Sequence, residues 1–178
     1  MPRSVARFPG VGPVATSANP GRNGTRGEAA MRISDILRVK GDGVVTVPPD
    51  ADVTALLAVL AEHKIGAVVV SADGRRVDGI VSERDIVRAL AERGASVLTE
   101  PVNRIWTAAV RSVTREALVS DVERLMTERR FRHVPVVEDG ALHGVVSIGD
   151  VVKSRIDELE AERSSLAGYI TGERSYPS

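Results

Sequence analysis

The sequence predicts an α+β protein built from two pseudo-symmetric strand–helix–strand–strand–helix units packed sheet to sheet. Three observations carry this expectation. The chain repeats itself internally, each copy holds apolar stripes at helical spacing, and each copy holds two short β-branched runs separated by a Gly-containing turn. Val44, Val47, Ala51, Val53, Val68 and Val70 recur 66 positions later as Val110, Val113, Ala117, Val119, Val134 and Val136. Asp73-Gly74 recurs at the same offset as Asp139-Gly140. One residue is then lost, so Gly79, Val81, Ser82, Asp85 and Val87 recur 65 positions later as Gly144, Val146, Ser147, Asp150 and Val152. A register held over forty residues marks a duplicated unit, and repeats decide the fold before any single element does.

Each unit opens with a short helical entry, Ile33–Leu37 in the first and Val102–Trp106 in the second. Trp106 falls where Leu37 lies, which reads as packing. A short strand follows near Val44–Val47 or Val110–Val113. Val53, Leu56, Leu57 and Leu60 then fall on one helical face, as do Val119, Val122, Leu125 and Met126. The runs Ala67–Val70 and Val134–Val137 read as buried strands because β-branched side chains suit a pleated sheet. Turns at Ala72–Arg75 and Glu138–Ala141 lead to third strands at Gly79–Val81 and Gly144–Val146. A second helix starts at Ser82 or Ser147. Gly94 stops the first of these, while the other runs on with Val151, Val152, Ile156, Leu159 and Leu166 as a stripe. One such unit buries too little surface to stand alone, so the pair should pack about a pseudo-twofold axis with two equivalent clefts at the seam.

Residues 1–30 are unlike the rest. They hold five Gly, four Pro and no apolar period, with four Arg against one Glu. They read as a disordered tail or as a misassigned start ahead of Met31. The Pro and Gly argue against the amphipathic helix of a transit peptide. The domains expected are 31–97 and 98–160, with 161–178 as a helix end and tail.

Composition narrows the function. The 178 residues carry 24 Lys plus Arg against 24 Asp plus Glu, so nothing favours nucleic-acid binding by phosphate neutralisation. Aromatic residues are 3%, too few for base-stacking platforms. With no Cys, disulfides and thiolate chemistry are excluded, and three His leave little room for a zinc site. No apolar run is long enough for a membrane span, and a cytoplasmic location is expected.

The motif that could carry chemistry is Gly79-Ile-Val-Ser-Glu-Arg-Asp85, echoed by Gly144-Val-Val-Ser-Ile-Gly-Asp150. Each copy follows a strand and opens a helix. Ser-x-x-Asp in that place is a capping box that satisfies free N–H groups of the first turn. The same geometry serves a ligand: Ser82 or Ser147 can hydrogen-bond a phosphate at the helix N-terminus, and Asp85 or Asp150 can accept the hydroxyls of a ribose. No Gly-x-Ser-x-Gly elbow, Walker loop or metal-binding His pair accompanies it, so no catalytic and no metal-ligating residues are assigned.

The duplicated unit resembles a pair of cystathionine β-synthase (CBS) domains, a Bateman module. The carrying stretches are His63–Val70 with Gly79–Asp85 and Arg132–Val137 with Gly144–Asp150. The resemblance covers roughly residues 31–160 and is to stand-alone CBS pairs. It implies a regulatory module that binds an adenosine-containing ligand, AMP, ADP or ATP foremost, in clefts between repeats. It implies the phosphate and ribose roles for Ser82 with Asp85 and for Ser147 with Asp150. It places the base against Thr46, Val47, Ala67 and Val68, and against Ser112, Val113, His133, Val134 and Pro135. Arg84 and Arg132 are candidate phosphate ligands, since guanidinium suits bidentate phosphate contact. Val69 stands where Pro135 does, and Gly149 where Arg84 does, so the two sites are unequal. A homodimer formed through helices and an unnamed client protein are the implied partners. The alternative is a ligand-free interaction scaffold in which both motifs act only as caps.

Overall fold

The computed structural model describes residues 30–41 and 43–172, with side chains described as far as residue 164. The arm before residue 30, the tail from 173 and the side chain of Leu166 lie outside the described residues.

In chain order the elements are α1 (Ile33–Lys40), β1 (Thr46–Val47), α2 (Val53–His63), β2 (Ala67–Val70), β3 (Gly79–Ser82), α3 (Glu83–Arg93), two 3₁₀ turns (Gly94–Thr99 and Val102–Arg104), α4 (Val119–Arg129), β4 (His133–Glu138), β5 (Ala141–Ser147) and α5 (Ile148–Gly172). β1 runs parallel to β2, and β2 pairs antiparallel with β3. β4 and β5 form the matching antiparallel pair. The strand expected at Val110–Val113 shrinks to one parallel bridge between Val113 and Val136. Its hydrogen bond survives: Val137 N donates to Val113 O at 2.8 Å, as Ser71 N donates to Val47 O at 2.9 Å in the first repeat.

Local chemistry fixes the ends. Asp52 caps α2, accepting from Ala55 N at 2.6 Å. α2 and α4 both end on a left-handed residue, Lys64 (φ 53°) and Arg130 (φ 56°), 66 positions apart. The β4–β5 turn places Asp139 and Gly140 at φ 49° and 76°, as a tight Asp-Gly hairpin requires.

Two hydrophobic cores result, and they exchange their entry segments. Val53, Leu56, Leu60, Val68, Val70, Val81 and Ile86 pack with Val97 and Val102, with Ile105 and Trp106 against them. Val119, Val122, Met126, Val134, Val136, Val146 and Val151 pack with Ile33, Ile36 and Leu37 of α1. The segment preceding each repeat therefore closes the core of the other. Backbone bonds repeat the exchange: Ile33 N donates to Ala117 O and Val119 N to Met31 O, while Val102 N donates to Ala51 O and Val53 N to Glu100 O. The boundaries 31–97 and 98–160 follow the repeat in sequence, whereas the cores interlock across it.

Glycines make room for the exchange. A Cβ at Gly79 would collide with the Trp106 ring, and one at Gly144 would lie 2.6 Å from Leu37 Cδ2. Trp106 and Leu37 are thus the same packing element in the two halves. The stripe along α5 splits: Val151 is buried, while Val152, Ile156 and Leu159 are each about half exposed, at 50%, 50% and 49%. Leu57 also faces outward, unlike Val53, Leu56 and Leu60 on the same helix.

Candidate functional site

The fold produces two clefts related by the repeat. Cleft one, of about 340 Å³, is lined by Ile80 and Ser82 of β3, by the first turns of α3, by Thr107–Arg111 and by Arg129–His133. Cleft two, of about 330 Å³, is lined by Val145 and Ser147 of β5, by Gly43–Val45 and by Lys64–Ala67. The correspondence runs residue by residue: Ala109, Val110 and Arg111 stand for Gly43, Val44 and Val45, and Arg130–His133 stand for Lys64–Ala67. Each cleft therefore takes its Ser-x-x-Asp helix start from one repeat and its opposite wall from the other. Gly66, Ala67 and His133 line both, so they form the partition at the pseudo-axis.

The helix starts are built alike. Ser82 N and Ser82 Oγ both donate to Asp85 Oδ2, at 2.9 and 2.6 Å. Ser147 N and Ser147 Oγ donate to Asp150 Oδ2, each at 2.8 Å. Both are closed capping boxes, and the first helical N–H beyond each, of Glu83 and Ile148, bonds back to Gly66 O and Arg132 O at 3.0 and 2.8 Å. This bond ties each helix start to the wall of the pseudo-axis.

The clefts differ sharply in charge. Six arginines line cleft one: Arg84, Arg88, Arg111, Arg129, Arg130 and Arg132, against two acids, Glu83 and Asp85. Among the described residues, Arg88 lies 3.8 Å from Asp85, and Arg84, Arg111, Arg129, Arg130 and Arg132 make no ion pair. Among the described residues, Lys40 and Lys64 are the cations of cleft two, and no acid lines it. At the positions of Arg84, Arg111 and Arg132 the other repeat has Gly149, Val45 and Gly66.

The carboxylates of the two Ser-x-x-Asp motifs differ as well. Asp150 Oδ2 accepts a third bond, from Lys40 Nζ at 2.7 Å. Burial pushes the Asp150 carboxyl upward, but the hydrogen bond from Lys40 and those from the Ser147 backbone and hydroxyl outweigh it and hold the pKa below the usual carboxylate value. Lys40 also donates to Val145 O at 3.0 Å. The His133 imidazole, half-buried between the clefts, has its pKa lowered by burial first and by the Lys40 charge second, against opposing pulls from Asp150 and Glu83.

Among the sequence-predicted residues, Ser82, Arg84, Asp85 and Arg132 line cleft one, Ser147 lines cleft two, and Ala67 and His133 line both. Asp150 lies behind Lys40, facing a groove between α1 and α5. Val47, Val68 and Val134 are buried in the cores, and Thr46, Ser112, Val113 and Pro135 line neither cleft. The walls are made instead by the residues just upstream of Thr46 and Val113, and by the left-handed turns after α2 and α4. Lys40, Lys64, Arg88, Arg111, Arg129 and Arg130 went unnoticed in the sequence. The paired cations Lys64 and Arg130 at the repeat offset were the signal available for two of them.

The geometry just described, two clefts at the seam of a duplicated α+β unit with Ser-x-x-Asp at each helix start, has counterparts. The CBS domain family matches this chain twice, at residues 33–92 and 102–157. This chain belongs to the CBS domain family. A curated relative, the CBS domain-containing protein CBSX3, mitochondrial, of Arabidopsis thaliana, is 35% identical over 164 residues, covering 88% of this chain and 80% of its own. The solved CBS-domain containing protein from Agrobacterium tumefaciens is 46% identical with a TM-score of 0.68, over 70% of this chain and 99% of that one. The CBS domain pair of protein MJ0100, solved with 5′-methylthioadenosine and S-adenosyl-L-methionine, shares the fold at 22% identity and a TM-score of 0.65, over 72% of this chain and 98% of that one. The chain is thus a CBS pair of the regulatory-module type, and among its structural neighbours are pairs that hold adenosine-containing ligands. No described helix is long and apolar enough to cross a membrane.

Proposed function

We propose that this CBS pair is a non-catalytic regulatory module that binds an adenine nucleotide of the AMP, ADP or ATP class between its repeats. The observation that carries the reading is cleft one. It joins a helix N-terminus with a Ser hydroxyl, a carboxylate three residues on and five arginines that make no ion pair among the described residues, around one cavity. Unpaired guanidinium groups on one concave surface repel one another, and a polyphosphate relieves this through charge-assisted hydrogen bonds. Ser82 serves the phosphate side and Asp85 the ribose. Arg84, Arg111 and Arg132 neutralise charge beyond the first phosphate. Because the two walls come from different repeats, a ligand that favours one arrangement of the repeats shifts the population toward it, and a client protein reads that shift.

The half-exposed stripe Val152, Ile156 and Leu159 on α5, with Val87 at the repeat-equivalent place on α3, supports a homodimer formed through helices. We place the module in the cytoplasm. A ligand-free scaffold is the second reading, favoured by the capping boxes being closed and self-satisfied without a ligand.

Equilibrium titration with ATP, ADP and AMP separates the two readings. The module predicts binding in the order ATP, ADP, AMP, weakening as salt rises because the arginines act through charge. Absence of binding for all three nucleotides at millimolar concentration would establish the scaffold.

A further inference from the structure

The two clefts share a plan, and beyond their difference in charge one residue sets their motif carboxylates apart. In the entry segments Leu37 and Trp106 occupy the same place, over Gly144 and Gly79 respectively. Counting on three residues from each, Lys40 in the first entry segment falls opposite Ala109 in the second, although along the 66-residue repeat Ala109 pairs with Gly43. Ala109 lines cleft one and reaches nothing on Asp85. Lys40 crosses from α1 to Asp150 Oδ2, at 2.7 Å, and to Val145 O, at 3.0 Å.

This contact changes what Asp150 can accept. Its Oδ2 already takes the Ser147 N–H and hydroxyl, and the ammonium is a third donor on the same atom. Asp85 Oδ2 takes two donors, and its other oxygen has only Arg88 at 3.8 Å. A ribose presents two hydroxyl donors, and what distinguishes the two carboxylates is the ammonium held on Asp150 Oδ2, which has no counterpart on Asp85 Oδ2. The ammonium is also held from behind. α1 is fixed by Ile33 and Leu37, 0% and 1% exposed in the second core, so the lysine cannot leave with its helix. Only its side chain can move, and moving it breaks a half-buried ion pair with side chains 43% and 24% exposed.

We propose that Lys40 is a latch that keeps cleft two closed to ribose, so that each chain binds a single nucleotide, in cleft one. The latch rests on the nucleotide reading above and sets its stoichiometry. Lys40 stands at the carboxyl-terminal end of α1, where a cation is also favoured by the helix dipole. The latch is therefore part of the packed fold rather than a loose side chain on the rim.

The test is isothermal titration of the full chain with AMP, whose single phosphate asks least of the arginines. The unmodified protein is expected to bind one AMP per chain, and Asp85→Asn to weaken that site at least tenfold. Lys40→Met keeps the aliphatic stem and removes the ammonium. It is expected to bind two AMP per chain, the second site at least tenfold tighter than in the unmodified protein and lost again in Lys40→Met with Asp150→Asn. Two sites in the unmodified protein, or a Lys40→Met variant with no second site, would overturn the latch while leaving the nucleotide reading intact. No heat from either protein would overturn both. Thermal unfolding of Lys40→Met serves as the control: an unfolding midpoint close to that of the unmodified protein shows that a missing second site is not a misfolded one.

Discussion

Asp85 caps α3 and, in the proposed reading, also accepts a ribose, and a conservative change separates the two. Asn keeps an oxygen for the Ser82 N–H but loses the charge, so Asp85→Asn is expected to lower stability by no more than about 1 kcal/mol, the usual scale of a cap. Its nucleotide affinity is expected to fall at least tenfold. Chemical denaturation and equilibrium binding on the same preparation read both numbers. Asp150 also carries a pH signature. Its folded pKa lies below the ordinary carboxylate value, so its contribution to stability is fully present above that value and is lost as pH falls through the folded one. Asp150→Asn is expected to flatten the acid limb of the stability profile below about pH 4, the ordinary carboxylate range. His133 acts in the same direction at higher pH. Burial depresses its pKa, so stability is full above the ordinary imidazole range near 6.5 and declines as pH falls from there toward the folded value. His133→Gln should remove that part of the slope below about pH 6.5 in thermal unfolding followed across pH.

At the scale of elements, the most consequential feature is the exchange of entry segments. Sequence periodicity placed Ile33–Leu37 and Val102–Trp106 correctly as equivalent entries, and Trp106 as a packing residue. It gave no sign that each closes the other core, because an apolar stripe states that a face is buried and not against which partner. The same limit explains Leu57, which lies at helical spacing with Leu56 and Leu60 yet faces solvent. It also explains the cleft walls. Val47, Val68 and Val134 read as strand residues near a ligand, but the pleat sends their side chains into the cores. The Ser-x-x-Asp motifs were legible because capping chemistry is local, with donor and acceptor three residues apart. Lys40 with Asp150 was not, because 110 positions separate them. The exchange has a measurable consequence. Leu37→Ala is expected to cost about 2–5 kcal/mol, the range for truncating a fully buried leucine. Amide exchange should show the loss in β4, β5 and α4, not in the neighbouring β1 and α2. Gly144→Ala is expected to destabilise the same half by about 1–3 kcal/mol, as an overpacked core does. Ile156→Glu on the exposed α5 stripe is expected to lower the apparent mass in sedimentation from dimer to monomer, with the fold retained.

The whole molecule is a duplicated unit whose halves have kept their geometry and diverged in charge. Two clefts of nearly equal volume, about 340 and 330 Å³, are joined through a partition of Gly66, Ala67 and His133. One faces six arginines and the Asp85 carboxylate, the other two lysines, one of them held on Asp150 behind it. A net charge of zero over the whole chain concealed this, because composition averages over surfaces that the fold separates. The central claim is that cleft one senses an adenine nucleotide, and thermal unfolding of the full chain with and without ATP tests it most directly. A ligand that binds only the folded state, at 100 times its dissociation constant, adds about 2.7 kcal/mol, which is a shift of several degrees for a domain of this size. The account predicts such a shift with ATP and its loss in Asp85→Asn. An unchanged midpoint with millimolar ATP, or a full shift that survives Asp85→Asn, would contradict it.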